Sequence, residues 1–277
     1  MKKLLTLLLA LTMVLSLAAC GSTPTPPAPG SDSAAPGADD WAPATPGKLT
    51  VGTSADFAPY EFHILDNGQD KIVGFDMALA QFIADDFGLE LVLVDMAFDS
   101  ILIELNNGTI DLAIAGLSAD PARDIYFSDN YYIGTQSLMV KKENLEKYKD
   151  YTDLDKPEFS IGAQSGSIQA DLAAEHTPNA NHTLLTSIPN VIMELKAGTI
   201  DAAFMETIVA QGYLATQEDL AILCEVPYDV KGSSVGVKKG EDALLAKVNA
   251  TLAKVEAQGL MDGWVQEANQ LAEQAVG

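Results

Sequence analysis

The chain has 277 residues and carries 16 Lys and Arg against 39 Asp and Glu, a formal net charge of −23. That length suits one large or two ordinary domains, and an apolar fraction of 48% argues against a disordered chain. So acidic a surface repels phosphate backbones and anionic headgroups, which argues against nucleic-acid binding. Two cysteines cannot form a disulfide scaffold, and no Cys/His spacing points to zinc, so no metal or cofactor is expected.

Lys2 and Lys3 lead an apolar run from Leu4 to Leu17, followed by Ala18-Ala19-Cys20. This is the pattern of a secretory signal over residues 1–19, and its run of about 14 residues is shorter than the roughly 20 that span a bilayer. Leu17-Ala18-Ala19-Cys20 resembles the lipobox of bacterial lipoproteins, which implies that Cys20 is lipidated and becomes the mature N-terminus. Residues 21–47 hold seven of the thirteen prolines together with Gly, Ser, Thr and Ala. Such a stretch is expected to stay extended and solvated, so residues 20–47 read as a lipidated cysteine and a tether. With Cys20 acylated, Cys224 is left unpaired beside Ile222 and Leu223, as a quiet buried thiol.

From Lys48 onward, short β-branched runs alternate with amphipathic stretches. Leu49–Gly52 predicts a strand, Gly74–Phe87 a helix, Leu89–Val94 a strand, Ser100–Asn106 a helix and Asp111–Gly116 a strand. Alternation of this kind implies βαβ units and a mostly parallel sheet. Leu105–Ala113 (LNNGTIDLA) recurs as Leu195–Ala203 (LKAGTIDAA), a helix closed by glycine and followed by Ile-Asp and a strand. Val51-Gly52-Thr53-Ser54 is likewise echoed by Ile161-Gly162-Ala163-Gln164. Two matching pairs in the same order predict two related lobes.

Tyr131–Lys141 runs without a turn signal, as a strand crossing between lobes would, and a second crossing is expected near Lys231–Val235. The last helices, Asp242–Gln258 and Leu260–Ala275, then return to the first lobe. The expected organisation is lobe 1 over residues 48–132 plus 236–277 and lobe 2 over residues 136–230. Two crossings make a hinge, and ligands in such folds sit between the lobes at the carboxyl ends of the strands.

Six segments then carry a resemblance: Val51–Thr53 with Phe57–Phe62, Val73–Asp76, Asp111–Gly116, Arg123 with Phe127–Tyr131, Ile161–Ser167, and Gly198–Ala203. In this order they resemble the solute-binding proteins of amino-acid ABC transporters, family 3, over essentially Lys48 to Gly277. The resemblance implies an α/β, two-lobed, type II periplasmic-binding-protein-like fold, each lobe a mostly parallel sheet flanked by helices, with two hinge crossings. It also implies a non-enzymatic, lipid-anchored monomer on the extracytoplasmic face of the cell membrane or in the periplasm. Such a receptor captures a free amino acid and delivers it to an ABC permease, whose ATPase hydrolyses ATP. No cofactor is implied.

Asp120-Pro121 predicts a helix start, with Asp as N-cap and Pro in the first turn, which places Arg123 beside the loop Gly116-Leu117-Ser118. A guanidinium there offers paired donors to a carboxylate. The resemblance implies that Arg123 clamps the ligand's α-carboxylate with help from Ser118. Gln164-Ser165-Gly166-Ser167 leads into a helix starting near Ser167, an anion-binding arrangement. The resemblance implies that the main chain at Ser167 and Ile168 serves the same carboxylate, with Gln164 reaching the side chain. Glu206 ends the second repeat's strand, where a carboxylate suits an α-ammonium; the family more often has Asp there. Phe57 and Phe98 match aromatic positions that sandwich the ligand's aliphatic part, and Tyr60 and Glu61 lie close to the mouth. Ser54 stands where members binding lysine, arginine or glutamine often carry Asp, and Met205 cannot read a side-chain amide. Together these lean toward a neutral side chain, unless Glu61 or Asp99 reaches the pocket. His63, His176 and His182 lie in loop-like sequence without ligand spacing. Two other classes share the fold: a tethered amino-acid sensor, and catalytic members resembling cyclohexadienyl dehydratase.

Overall fold

The computed structural model describes residues 41–229 and 232–275. Its first sheet is built from β1 (Lys48–Thr53), β5 (Glu90–Asp95), β6 (Leu112–Ala113), β7 (Tyr126–Tyr132) and β13 (Ser233–Val237), in the order β5-β1-β6-β13-β7. The second is built from β8 (Gln136–Lys141), β9 (Ser160–Gln164), β10 (Asn181–Leu185), β11 (Ala202–Glu206) and β12 (Leu220–Val226), in the order β10-β9-β11-β8-β12. In each sheet the first three strands in this order pair in parallel, and the fourth, β13 or β8, runs antiparallel to both neighbours. That fourth strand is the one entered directly from the other lobe, so it inserts against the direction set by the βαβ units.

The internal repeat has a shared physical basis. Helices α2 (Phe98–Asn107) and α4 (Ile188–Ala197) both end at left-handed glycines, Gly108 (φ 75°) and Gly198 (φ 79°). Thr109 and Thr199 then donate their N–H groups back to Glu104 O and Glu194 O, each at 3.1 Å, which satisfies orphan carbonyls of the last turn. The aspartates that follow make matching clamps. Asp111 accepts from Thr50 N at 2.8 Å and returns its own N–H to Thr50 O, while Asp201 accepts from Ser160 N at 2.9 Å and returns its N–H to Ser160 O. The repeated Ile-Asp therefore joins the third strand of each sheet, β6 or β11, to its neighbour β1 or β9.

The crossings lie at residues 133–135, between β7 and β8, and after β12, before β13. β13 begins three residues ahead of the expected return at 236. Helices α6 (Asp242–Gln258) and α7 (Leu260–Ala275) follow, with α6 packing on β7 and α7 on α1 (Phe75–Phe87) and α5 (Thr207–Leu214). One core lies under the first sheet between α1 and α6, around Leu49, Leu79, Ile83 and Val248. Another lies in the second lobe around Leu138, Ile161, Leu172 and Phe204. A third core takes in groups of both lobes, with Phe57, Tyr60 and Phe75 beside Ile188, Met205 and Val209.

Three local expectations are corrected. The Asp120-Pro121 segment is a turn and not a helix: Arg123 N–H reaches Asp120 O at 3.1 Å, and the Asp120 carboxylate takes Ala122 N–H at 2.8 Å. The capping chemistry is as expected, but β7 begins at Tyr126 and leaves no length for a helix. The end of the tether is not free, because Trp41 packs on Phe87 at 6.0 Å between ring centroids and Ala44 N–H reaches Asp111 at 2.9 Å. An indole and a free acceptor together offset the ordering of these few residues. His63 lies on β3 (Glu61–Asp66), His182 on β10 and His176 at the end of α3 (Ile168–His176), not in loops. Each is hydrogen-bonded, to Asp70 and Asp95, to Thr177 O and to Pro227 O respectively.

A further sheet had no counterpart in the sequence reading. Strands β2 (Asp56–Phe57), β3 and β4 (Gln69–Val73) form a small antiparallel sheet with a turn at Asn67-Gly68. Both turn residues have positive φ, 51° and 78°, so this Asn-Gly pair was a legible hairpin signal. Among the described residues, no helix is long and apolar enough to cross a membrane.

Candidate functional site

The carboxyl ends of β1, β6, β9 and β11 bring the expected site residues to the junction between the lobes. Ser54 follows β1, Gly116 and Ser118 follow β6, Gln164 ends β9, and Glu206 ends β11. Ser118, Gln164, Ser167, Glu206, Ser54 and Phe57 are buried, while Arg123, Ile168 and Phe98 are half-buried.

Arg123 bridges the two lobes. Its guanidinium donates to Gly166 O of the second lobe at 3.0 Å and to Ser118 O of the first at 3.4 Å, and it lies 6.0 Å from the centre of the Phe98 ring. Burial lowers its pKa, opposed by Asp120 and Asp171, but a guanidinium keeps its charge at any physiological pH. Gly166 is itself pressed on the start of α2, since a Cβ there would stand 3.1 Å from Asp99 Cβ. Ser167 caps α3, accepting from Ala170 N at 3.3 Å. The capping role is thus present, and the loop before it is held next to Arg123.

Glu206 sits in a donor cage. Tyr60 Oη donates to one carboxylate oxygen at 2.5 Å and Gln136 Nε2 to the other at 3.0 Å, with Gln169 in turn donating to Gln136 at 2.9 Å. Burial pushes the Glu206 carboxyl up to about 7, and the two donors only partly oppose it. Gly134, in the first crossing, leaves room for this carboxylate, because a Cβ there would lie 1.7 Å from Glu206 Oε1. Any side chain at 134 would displace the carboxylate or the crossing.

Tyr228, just past β12, ties the second lobe to the Ser118 loop of the first. Its hydroxyl donates to Ser118 Oγ at 2.7 Å, and its pKa, raised chiefly by burial, is also raised by Glu206 and lowered by Arg123. Gly116 N–H donates to Asp76 at 2.8 Å, as does Tyr131 Oη at 2.9 Å. Asp76 and Glu61 form a buried acid pair behind this loop, with Asp76 raised to about 6 and Glu61 raised well above its usual range, both mainly by burial.

The chain from residue 49 to residue 267 matches the bacterial extracellular solute-binding proteins, family 3. The chain belongs to that family. This solute-binding protein is 32% identical to the arginine-binding extracellular protein ArtP of Bacillus subtilis (strain 168), over 95% of this chain and 96% of ArtP. Among solved structures, it is similar to an amino-acid ABC transporter substrate-binding protein from Streptococcus pneumoniae bound to L-arginine. That match has a TM-score of 0.77 and 37% identity, covering 81% of this chain and 94% of the other. It is also similar to the ancestral amino-acid-binding protein AncCDT-1, a precursor of cyclohexadienyl dehydratase, with a TM-score of 0.71 and 29% identity, covering 83% and 96%.

Several residues of this solute-binding protein were undervalued in the sequence. Tyr60 is not at the mouth but fully buried as a donor to Glu206, and Glu61 is fully buried against Asp76. Gln136 and Tyr228 had no local signal, since both work through partners 70 and 110 residues away. Met205 is fully buried in the core shared with Ile188 and Val209. Cys224 is free and half-buried, with its thiol pKa raised by burial, in keeping with an unreactive thiol.

Proposed function

We propose that this protein captures a free L-amino acid between its two lobes and delivers it to an ABC permease, with Arg123 on the α-carboxylate and Glu206 on the α-ammonium. The observation that carries this reading is a guanidinium hydrogen-bonded to the main chain of both lobes together with a buried carboxylate held in a donor cage at the end of β11. Opposite charges at two ends of a buried cleft suit the zwitterion of an amino acid and leave its side chain to the other walls. Ser118, Gly116, Ser167 and Ile168 complete the carboxylate end, Phe57 and Phe98 flank the aliphatic part, and Gln164 and Ser54 line the side-chain end. The lobes are residues 48–132 with the returning strand and α6–α7, and residues 136–229.

The amino acid is arginine in this reading. Its support is the arginine named for ArtP and bound in the Streptococcus pneumoniae relative, and acids near the lobe junction, among them Asp99 against Gly166 and Asp171 within the field of Arg123. The neutral side chain favoured by Ser54 and Met205 together with Phe57 and Phe98 loses the Met205 part of its basis, because Met205 belongs to the core. A thermal-shift screen of the mature protein against the twenty amino acids at about 1 mM tests the assignment. A ligand at about 100 times its Kd stabilises the native state by roughly 2.7 kcal/mol. The largest shift is expected with arginine; shifts confined to neutral amino acids would restore the alternative, and no shift with any would remove the zwitterion site.

Membrane attachment through Cys20 is proposed on the lipobox resemblance alone, since residues 1–40 lie outside the described residues. In the native host, Cys20→Ala is expected to release an unlipidated protein from the membrane fraction. Retention of that variant in membranes would refute the anchor.

A further inference from the structure

One carboxylate at the lobe junction belongs to neither end of the zwitterion site. Asp56 lies on β2, which follows the first strand of lobe 1, yet its strongest partners are in lobe 2. Asp56 Oδ2 accepts the main-chain N–H of Ile188 at 3.0 Å, the first residue of α4. Gln164 Nε2, at the end of β9, donates to both Asp56 oxygens, at 3.4 and 3.2 Å, and to Thr186 O at 3.4 Å. Within its own lobe, among the described residues, the Asp56 carboxylate takes the Ser54 hydroxyl, at 3.2 Å.

The second lobe's helix is already prepared for such a partner. Ser187 caps α4 through Asn190 N–H at 3.4 Å, and Pro189 has no N–H to satisfy, so Ile188 N–H is the first-turn donor left facing outward. A carboxylate placed there meets both that donor and the positive end of the helix dipole. A first-turn N–H met by a carboxylate of another lobe has this partner only while the lobes are together.

We propose that Asp56 is a closure latch: a lobe-1 carboxylate that holds the first turn of α4 and Gln164 of lobe 2, and so raises affinity for every ligand by favouring the closed arrangement. The proposal rests on the reading of ligand capture by lobe closure, but not on which amino acid is bound. A group that stabilises only the closed state multiplies apparent affinity by its effect on the closed fraction, whatever the ligand's side chain. Gln164 is then held by Asp56 as a positioning residue, with its amide oxygen left for the cleft.

The test compares wild type with Asp56→Asn and Asp56→Ala. Asn keeps one acceptor for Ile188 N–H and loses the charge; Ala loses both. Small-angle scattering of the ligand-free mature proteins is expected to show a larger radius of gyration in Asp56→Ala, with Asp56→Asn between it and wild type. Calorimetric titration with arginine, glutamine and any neutral amino acid that binds is expected to show a uniform loss of about tenfold for Asp56→Ala, carried mainly by faster dissociation. A loss confined to arginine would make Asp56 a side-chain contact and overturn the latch. Unchanged scattering together with unchanged affinities would overturn it as well. Should no amino acid bind wild type, the scattering comparison still decides the latch, so its failure is separable from that of the ligand assignment. Melting temperatures identify a variant that merely fails to fold, in which case Asp56→Asn carries the comparison.

Discussion

Arg123→Ala is expected to weaken amino-acid binding by about two to four decades while leaving the protein folded. The guanidinium is half-buried between the lobes, with two main-chain carbonyls as its hydrogen-bond partners, Ser118 O and Gly166 O. The planar fork carries five N–H donors, so donors remain to grip a carboxylate side by side. Without it, a bound carboxylate is desolvated and left unpaired, at a cost of roughly 3–5 kcal/mol, which is the two to four decades stated. Arg123→Lys should recover only part of the loss, because an ammonium is a point charge and cannot match two oxygens at once. Calorimetric titration measures both variants. Near-wild-type affinity in Arg123→Ala would dismiss the clamp, whereas a large loss for every amino acid tested supports a role at the shared backbone end.

The affinity is also expected to fall as the pH drops below about 7, by up to about tenfold per unit, through Glu206. Its carboxyl is raised to about 7 by burial, so near neutrality the unliganded site is divided between protonated and ionised forms. An α-ammonium prefers the ionised form, so binding releases a proton in this range. Calorimetry in buffers of different ionisation enthalpy counts that proton directly. Glu206→Gln keeps the shape, removes the charge, and should both weaken binding and flatten its pH dependence. A wild-type affinity that stays constant from about pH 8 to about pH 5.5 would exclude Glu206 as the ammonium partner.

The stability of the unliganded protein should run the other way. Glu206, raised from 4.5, and Asp76, raised from 3.8 to about 6, bind more protons folded than unfolded between their unfolded and folded values. Their contribution is fully present at low pH and is lost as pH rises through about 6 to 7. Glu61 and Asp56, also raised by burial, add in the same direction. The unliganded melting temperature is therefore expected to be higher at about pH 5.5 than at about pH 8, the opposite of the trend in affinity. The excess of acids acts with the same sign, since protonation relieves self-repulsion.

What the sequence determined by itself was local chemistry and its repetition. LNNGTIDLA and LKAGTIDAA marked two helix ends and two Ile-Asp junctions, and the aspartates clamp β1 and β9, equivalent strands of the two lobes. The βαβ alternation and the limits of the last two helices were legible because propensity, capping and period agree there, whereas the run Tyr131–Lys141, expected as one crossing strand, is two strands parted at residues 133–135. Ser167 was readable as a cap, Glu206 as a strand-end carboxylate, and Asn67-Gly68 stood as an unused hairpin signal.

Only the tertiary structure decided which distant groups meet. Arg123 was expected on a helix, but the chain must turn at once into β7, so the same Asp120-Pro121 chemistry closes a turn. Tyr60 and Gln136 became the donors of Glu206, and Asp56 the acceptor of a first-turn N–H of a helix in the other lobe, through separations of 146, 70 and 132 residues. Nothing in their neighbours announces these pairings. They exist because the antiparallel fourth strand of each sheet is entered from the opposite lobe. That exchange ties two locally specified halves together and fixes which polar groups face each other once water has left the junction between them.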